Sequence, residues 1–282
     1  MLVALLLCLQ DTVPMKEFGS SYTLVKPAEY HDRVSWPVVV DLGNPRDPAR
    51  EPGAFVLTPS SRQDEGFVLA CLTELKTRFR VHPERVVVRG GSAALSLAVD
   101  HPDLFAACAL RRPLAFSPPK KAPPCTVFLA PEDPDRVKVL AAAMVMKKSG
   151  IEVQVREAST QPGELTEAIL SRLRPRGDIL AAIDMSEHKR WLDASLLCIE
   201  LLDKPGDPHA AKNLLKSIEG AAIIELAKVE VSVSERRWKD AFLRCREASR
   251  QFAWVPPGEK LRKRLGELES RPEVKKALES ED

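Results

Sequence analysis

"RVVVRGGSAALSLAVDHPDLF", Arg85–Phe105, decides the fold. A β-branched run meets a Gly-Gly-Ser turn, and an apolar, Ala-rich segment of helical spacing follows. Strand, tight turn and helix in that order set Ser92 on an elbow at a helix N-terminus. Such a turn needs small residues two before and two after the serine, because larger side chains would strike the neighbouring strand and helix. Gly90 meets the first need, and Gly91 completes the turn. Ala94 stands at the second position, where glycine is usual, and adds one methyl. Backbone N–H groups of the helix start would face a developing oxyanion. The plainer reading of the same residues makes Ser92 the N-cap of a helix that begins at Ala93.

Outward from the elbow, the chain alternates. "YTLVKP", "WPVVVDLG", "AFVLTP", "RVVVRG", "FAACAL", "CTVFLAP" and "IEVQVREA" predict strands. "EGFVLACLTELKTRF", "SAALSLAVDH", "PDRVKVLAAAMVMKKSG" and "GELTEAILSRLR" predict helices, the third closed by Gly150. Strands alternating with helices of ten to fifteen residues indicate a mostly parallel α/β sheet. Near-continuous apolar strands fit a sheet covered on both faces.

After "RPRGD" the pattern becomes helical and charged, with "VEVSVS" the one strand-like stretch. An internal repeat stands out. "KRWLDASLLCIE" (Lys189–Glu200) matches "RRWKDAFLRCRE" (Arg236–Glu247), with Arg, Trp, Asp, Ala, Leu, Cys and Glu at equal offsets. Each copy is followed by a Pro/Gly break and a second amphipathic helix, which predicts a TPR-like all-α helical-repeat region. The spacing of about 47 residues exceeds a TPR unit, so the match is to a class. Trp191 and Trp238 read as core anchors between helices. The expected organisation is therefore 1–10 as a signal peptide, 11–176 as the α/β domain and 178–282 as the helical repeat.

Composition narrows the function classes. The chain has 282 residues, 44% hydrophobic and 29% charged, with a net charge of +2. That balance gives no reason to expect nucleic acid or acidic lipid as a partner. Six cysteines include no CxxC pair, and five histidines include no HxxxH or HxH pair. The sequence therefore offers no metal site, and nothing in it calls for a cofactor. Most cysteines sit in apolar runs and read as buried thiols. "MLVALLLCLQ" is too short to span a bilayer, which takes about 20 residues. It reads as the apolar region of a secretory signal ending near Gln10, which implies a periplasmic or secreted protein. Against this, it lacks a basic n-region and an A-x-A site. A first buried strand, in a cytoplasmic protein, is the alternative.

Three stretches resemble the α/β-hydrolase superfamily, in particular secreted carboxylesterase, dienelactone-hydrolase and polyhydroxybutyrate-depolymerase-like esterases. "YTLVKPAEYHDRVSWPVVVDLGNP" looks like their opening strand followed by "PLVVFLHG". "VHPERVVVRGGSAALSLAVDHPDLFAA" is similar to their "RvyltGhSmGG" elbow with "yPdlFAA" after it. "PPCTVFLAPEDPDRVKVLAAAMVMKKSGIEVQVRE" resembles the segment that carries the triad acid. The resemblance runs from Tyr22 to Leu173. It implies Ser92 as nucleophile, Ala93 N–H and Gly43 as oxyanion donors, and Asp133 in "APEDP" as the acid.

The departures matter more. The oxyanion "HG" becomes Leu42-Gly43. The triad histidine belongs in "REASTQPGELTEA", and the chain holds no histidine between His101 and His188. His31, His82 and His101 are each misplaced by topology, and His188 is a remote candidate from the helical region. A serine hydroxyl needs an adjacent base at neutral pH, and loss of the histidine costs about 10⁶ in turnover. The segment "RRPLAFSPPKKAP" joins adjacent strands where many relatives insert a lid. The expectation is a catalytically degenerate esterase homologue, a pseudoenzyme serving as a binding or structural module, with a protein partner on its helical repeat. Asp133 then only turns the chain into the following helix. The alternative is an active serine carboxylic-ester hydrolase, acting on a small ester or acyl substrate with His188 as a non-standard base.

Overall fold

The β-branched runs of the first half enter one sheet. The computed structural model describes residues 10–43, 51, 53–62, 64–111, 122–130, 132–157, 169, 173, 177–204 and 208–279. Its strands are β1 (Gln10–Met15), β2 (Ser20–Val25), β3 (Trp36–Asp41), β4 (Phe55–Pro59), β5 (Val81–Gly90), β6 (Ala107–Arg111), β7 (Cys125–Leu129) and β8 (Val153–Glu157). They lie in the order β1-β2-β4-β3-β5-β6-β7-β8. β2 is antiparallel to both neighbours, and every pair from β4–β3 through β7–β8 is parallel. This is the mostly parallel, helix-flanked sheet of an α/β-hydrolase-like domain, followed by an all-α region.

Alternation along the strands separates two apolar layers. Val38, Val40, Val86, Val88, Cys108, Leu110, Cys125 and Val127 face one side. There they pack on α1 (Glu65–Arg78), α2 (Ser92–Asp100) and α3 (Arg136–Lys148) through residues such as Phe67, Leu95 and Met146. Val39, Val56, Val87, Ala107, Ala109 and Phe128 face the other side, with Ile169 packed against them. Each fully buried Val or Leu contributes roughly 1.5–3 kcal/mol, which is why these strands can be apolar at every position. β8 closes the edge with Gln154 and Glu157 in solvent. α3 ends as the sequence predicts: Gly150 takes φ +84°, its N–H bonds Lys147 O, and Ile151 N–H bonds Met146 O.

Three local expectations are corrected. β1 was not expected as a strand; "QDTVPM" is of mixed polarity with an internal proline, a composition tolerated on an edge strand paired on one side only. β5 starts at Val81, so His82 lies inside the strand rather than before it. Pro83 masked that start, and the β3–β5 register shifts between Trp36 and Val38 beside it. "VEVSVS" is helical: Val229 and Ser232, three apart, are both buried within one long helix, and tertiary packing overrides β propensity. The apolar run 1–9 lies outside the described residues, as does most of "GELTEAILSRLR".

Contacts divide the chain into two units: Met1–Leu75 with Phe79–Pro175, and Lys76–Arg78 with Arg176–Asp282. The second unit holds α4 (Ile179–Glu187), α5 (Trp191–Asp203), α6 (Pro208–Ser234), α7 (Trp238–Gln251), α8 (Pro256–Glu269) and α9 (Pro272–Glu279). Its two repeat copies begin in the same turn. Lys189 and Arg236 occupy the left-handed region, at φ 58° and 57°. Lys189 N–H bonds Ser186 O and Arg190 N–H bonds Met185 O; Arg236 N–H bonds Val233 O and Arg237 N–H bonds Ser232 O. This is the Schellman pairing at both helix ends. Ala194 and Ala241, and Cys198 and Cys245, are all buried at matching offsets. Trp191 stacks on Phe252 at 6.0 Å, whereas Trp238 lies under the Arg271 guanidinium. Gly258, at the start of α8, meets the Phe252 backbone so closely that no Cβ fits.

The copies differ at their acid. Asp193 is buried; its Oδ1 is 2.7 Å from Lys76 Nζ and its Oδ2 2.9 Å from Arg190 Nη2. Burial opposes its ionised form, but the Lys76 and Arg190 charges outweigh this and hold the carboxyl below its ordinary range. Asp240 is exposed and meets Arg237 at 3.3 Å. Among the described residues no helix is long and apolar enough to cross a membrane.

Candidate active site

The elbow forms where the sequence places it. β5 ends at Gly90, and α2 begins at Ser92 with Gly91 as its N-cap. Gly90 has φ +156°, and a Cβ there would lie 3.1 Å from both Ala94 Cβ and the Leu42 carbonyl carbon. That crowding explains the residue pattern: one methyl fits at Ala94 only while Gly90 carries none. Ser92 and Ala93 are exposed, and Ala94 is buried beneath them. The helix makes no side-chain cap bond, so the N-cap role read for Ser92 is not what it does. The first intrahelical bond runs from Leu95 N–H to Gly91 O, which leaves Ala93 N–H without an intrahelical acceptor.

The neighbouring loop carries a feature that motif reading missed. Asp41 ends β3, and Arg89, its register partner, precedes the elbow on β5. Both are buried, with Asp41 Oδ2 3.2 Å from Arg89 Nη1. The other carboxylate oxygen, Oδ1, accepts Gly43 N–H at 2.9 Å. Leu42 N–H in turn bonds Arg89 O at 2.7 Å, fastening the loop to the strand that bears the elbow. The Gly43 N–H assigned to an oxyanion thus already serves an anion of the chain itself. A local signal existed: an aspartate commonly bonds the backbone N–H two residues on.

Asp133 follows β7, two strands from β5 in the sheet order and about 10 Å away in strand spacing. Its Oδ1 accepts Asp135 N–H at 2.9 Å and its carbonyl accepts Arg136 N–H, so the side chain shapes the turn into α3.

The first unit's three histidines lie elsewhere. His101 caps the far end of α2, about 13 Å of helix from Ser92, and its Nε2 is 2.6 Å from Glu65 Oε1. His82 stands at the start of β5, roughly 25 Å of strand from Gly90, and its Nδ1 accepts Glu84 N–H. His31 packs edge-on against Trp36, whose register partner Val81 begins β5. It therefore lies at the opposite end of the strands from the elbow. His188 belongs to the second unit, at the end of α4, with Nδ1 2.8 Å from Asp184 O. Among the described residues no group of three His, Cys, Asp or Glu could hold a metal ion.

No family model and no curated protein matches the chain. Solved structures do. One is a thermostable esterase, at TM-score 0.39 and 18% identity over 65% of this chain, which spans 62% of that one. Another is esterase 2 of Thermogutta terrifontis with butyrate bound, at 0.39 and 17%, covering 65% of this chain and 95% of that one. A third is a putative dipeptidyl aminopeptidase IV from Bacteroides ovatus, at 0.40 and 12%, covering 58% and 35%. The fold assignment itself rests on the strand order and register: an α/β-hydrolase-like sheet that presents Ser92 on a strand-to-helix elbow.

Proposed function

We propose that the first unit is a catalytically degenerate esterase homologue, a binding or structural module that keeps the elbow without its chemistry. The observation that carries this reading is the Asp41 carboxylate on Gly43 N–H, 2.9 Å away. An oxyanion bound there would have to displace a buried carboxylate already paired with Arg89, or share the site with its negative charge. The placement of His31, His82 and His101 supports the same reading, because a serine nucleophile needs a base beside it and these three rings sit at the far end of α2 or at the start of β5. Short-chain acyl esters offered to the wild type and to Ser92→Ala should be hydrolysed at equal, background rates. A Ser92-dependent rate would return the unit to the active hydrolases.

The TPR-like second unit is the interaction part of this proposal. Ile224 and Val231, seven residues apart on α6, are both half-exposed and lie on one helix face. Such a stripe suits a protein partner. Ile224→Lys with Val231→Lys should abolish partner binding while Ser92→Ala leaves it intact. The leader reading of 1–10 places the protein in the periplasm or outside the cell, and the mass of the mature N-terminus after expression in a secreting host tests it.

A further inference from the structure

We propose that Cys108 and Cys125 close a disulfide between β6 and β7 when the chain folds in the presence of a small-molecule disulfide such as oxidised glutathione. The two residues are direct register partners on adjacent parallel strands. Both project into the layer beneath α2 and α3, and both are buried, at 0% and 2% exposure. Neighbouring strands run about 4.8 Å apart, inside the 4.4–6.8 Å window of Cα separations that a disulfide spans. Both are free thiols here, Cys108 directed at Ala94 O at 3.8 Å and Cys125 at Pro123 O at 3.3 Å. None of Cys71, Cys198 and Cys245 has a cysteine as register partner, since all three lie on helices.

The reaction balances. One cysteine thiolate attacks the glutathione disulfide and expels a glutathione thiolate. The second cysteine thiolate attacks the protein sulfur of that mixed disulfide and expels the other. Two protein thiols are oxidised, one glutathione disulfide is reduced to two thiols, and the protein's two protons pass to them. In the folded chain, burial pushes the Cys108 thiol well above its ordinary range and hides it from oxidant. Closure therefore belongs to folding rather than to attack on the finished sheet. It draws the Cβ atoms roughly 1 Å closer than the strand spacing sets them, so the bond is more reducible than an unstrained structural disulfide. It also removes the thiol proton that Cys108 directs at Ala94 O, in the first turn of α2.

The test uses the full chain, unfolded under reducing conditions and refolded in a mixture of reduced and oxidised glutathione. Remaining thiols are alkylated, and the protein is digested without reduction and mapped by mass spectrometry. The expected result is a linked Cys108–Cys125 peptide that dominates every other linkage and vanishes on reduction. Recovery of both cysteines as alkylated thiols, as glutathione adducts or in other pairings would overturn the proposal.

Discussion

The Ser92 elbow and the two helix turns at Lys189 and Arg236 have kept different things. At the elbow the backbone device persists: Gly90 at φ +156°, a bare N-cap at Gly91 and an exposed serine. Around it, Asp41 Oδ1 accepts Gly43 N–H and Asp133 Oδ1 accepts Asp135 N–H. At the repeat turns both backbone and side chains recur, down to the paired Schellman bonds and the buried Ala and Cys. The elbow's glycine is fixed by packing, because a Cβ at position 90 would crowd Leu42 and Ala94. A turn repeated with its side chains marks a unit whose packing is what matters.

The largest break in this comparison should come at the repeats' acid. Asp193→Ala leaves Lys76 buried without its carboxylate and should cost about 3–5 kcal/mol in denaturant unfolding. Asp240→Ala, in the exposed copy, should change stability by no more than about 0.5 kcal/mol. The pH dependence follows from the sign of the Asp193 shift. Its carboxyl is held below the ordinary value of 3.8, so its stabilisation is complete above that value and is lost as pH falls through the lower folded one. Acid titration of Asp193→Asn should lack that segment of the unfolding curve.

Next comes the elbow. Gly90→Ala forces a Cβ against Leu42 and Ala94 in a backbone region other residues avoid, at a cost of about 1–3 kcal/mol by thermal or denaturant melts. Full tolerance of alanine would mean that the turn is not strained. Smaller and opposite in sign are Lys189→Gly and Arg236→Gly. The sheet unit ends α3 with the same bonds but with Gly150 at the left-handed position. Glycine at either repeat turn should stabilise by about 0.5–1 kcal/mol, the left-handed penalty less the extra chain entropy. Smallest is Ser92→Ala: exposed, it should shift stability by less than about 0.5 kcal/mol.

How far the sequence revealed all this depends on the range of each interaction. Strands β2–β8 and helices α1–α3 were legible because each is a local apolar run with its own period or cap. β1 was not, since an edge strand of mixed polarity declares itself only through its partner. The start of β5 was hidden by Pro83, and the β-like "VEVSVS" is helical because Val229 and Ser232 are buried together. Of the site, the Gly90–Ser92 elbow was readable directly. The Asp41–Arg89 pair was not, because it depends on the register of β3 against β5, although the Asp41-to-Gly43 bond is a local signal that could have been weighed.

The most direct measurement is covalent. A fluorophosphonate probe reacts with a serine only when a base and an oxyanion site activate it. Incubated with the full chain at neutral pH and mapped by mass spectrometry, the probe should leave the Ser92 peptide unmodified, indistinguishable from denatured protein. A stoichiometric adduct on Ser92, absent after denaturation, would contradict the degenerate reading and require a base that the first unit's own histidines do not supply.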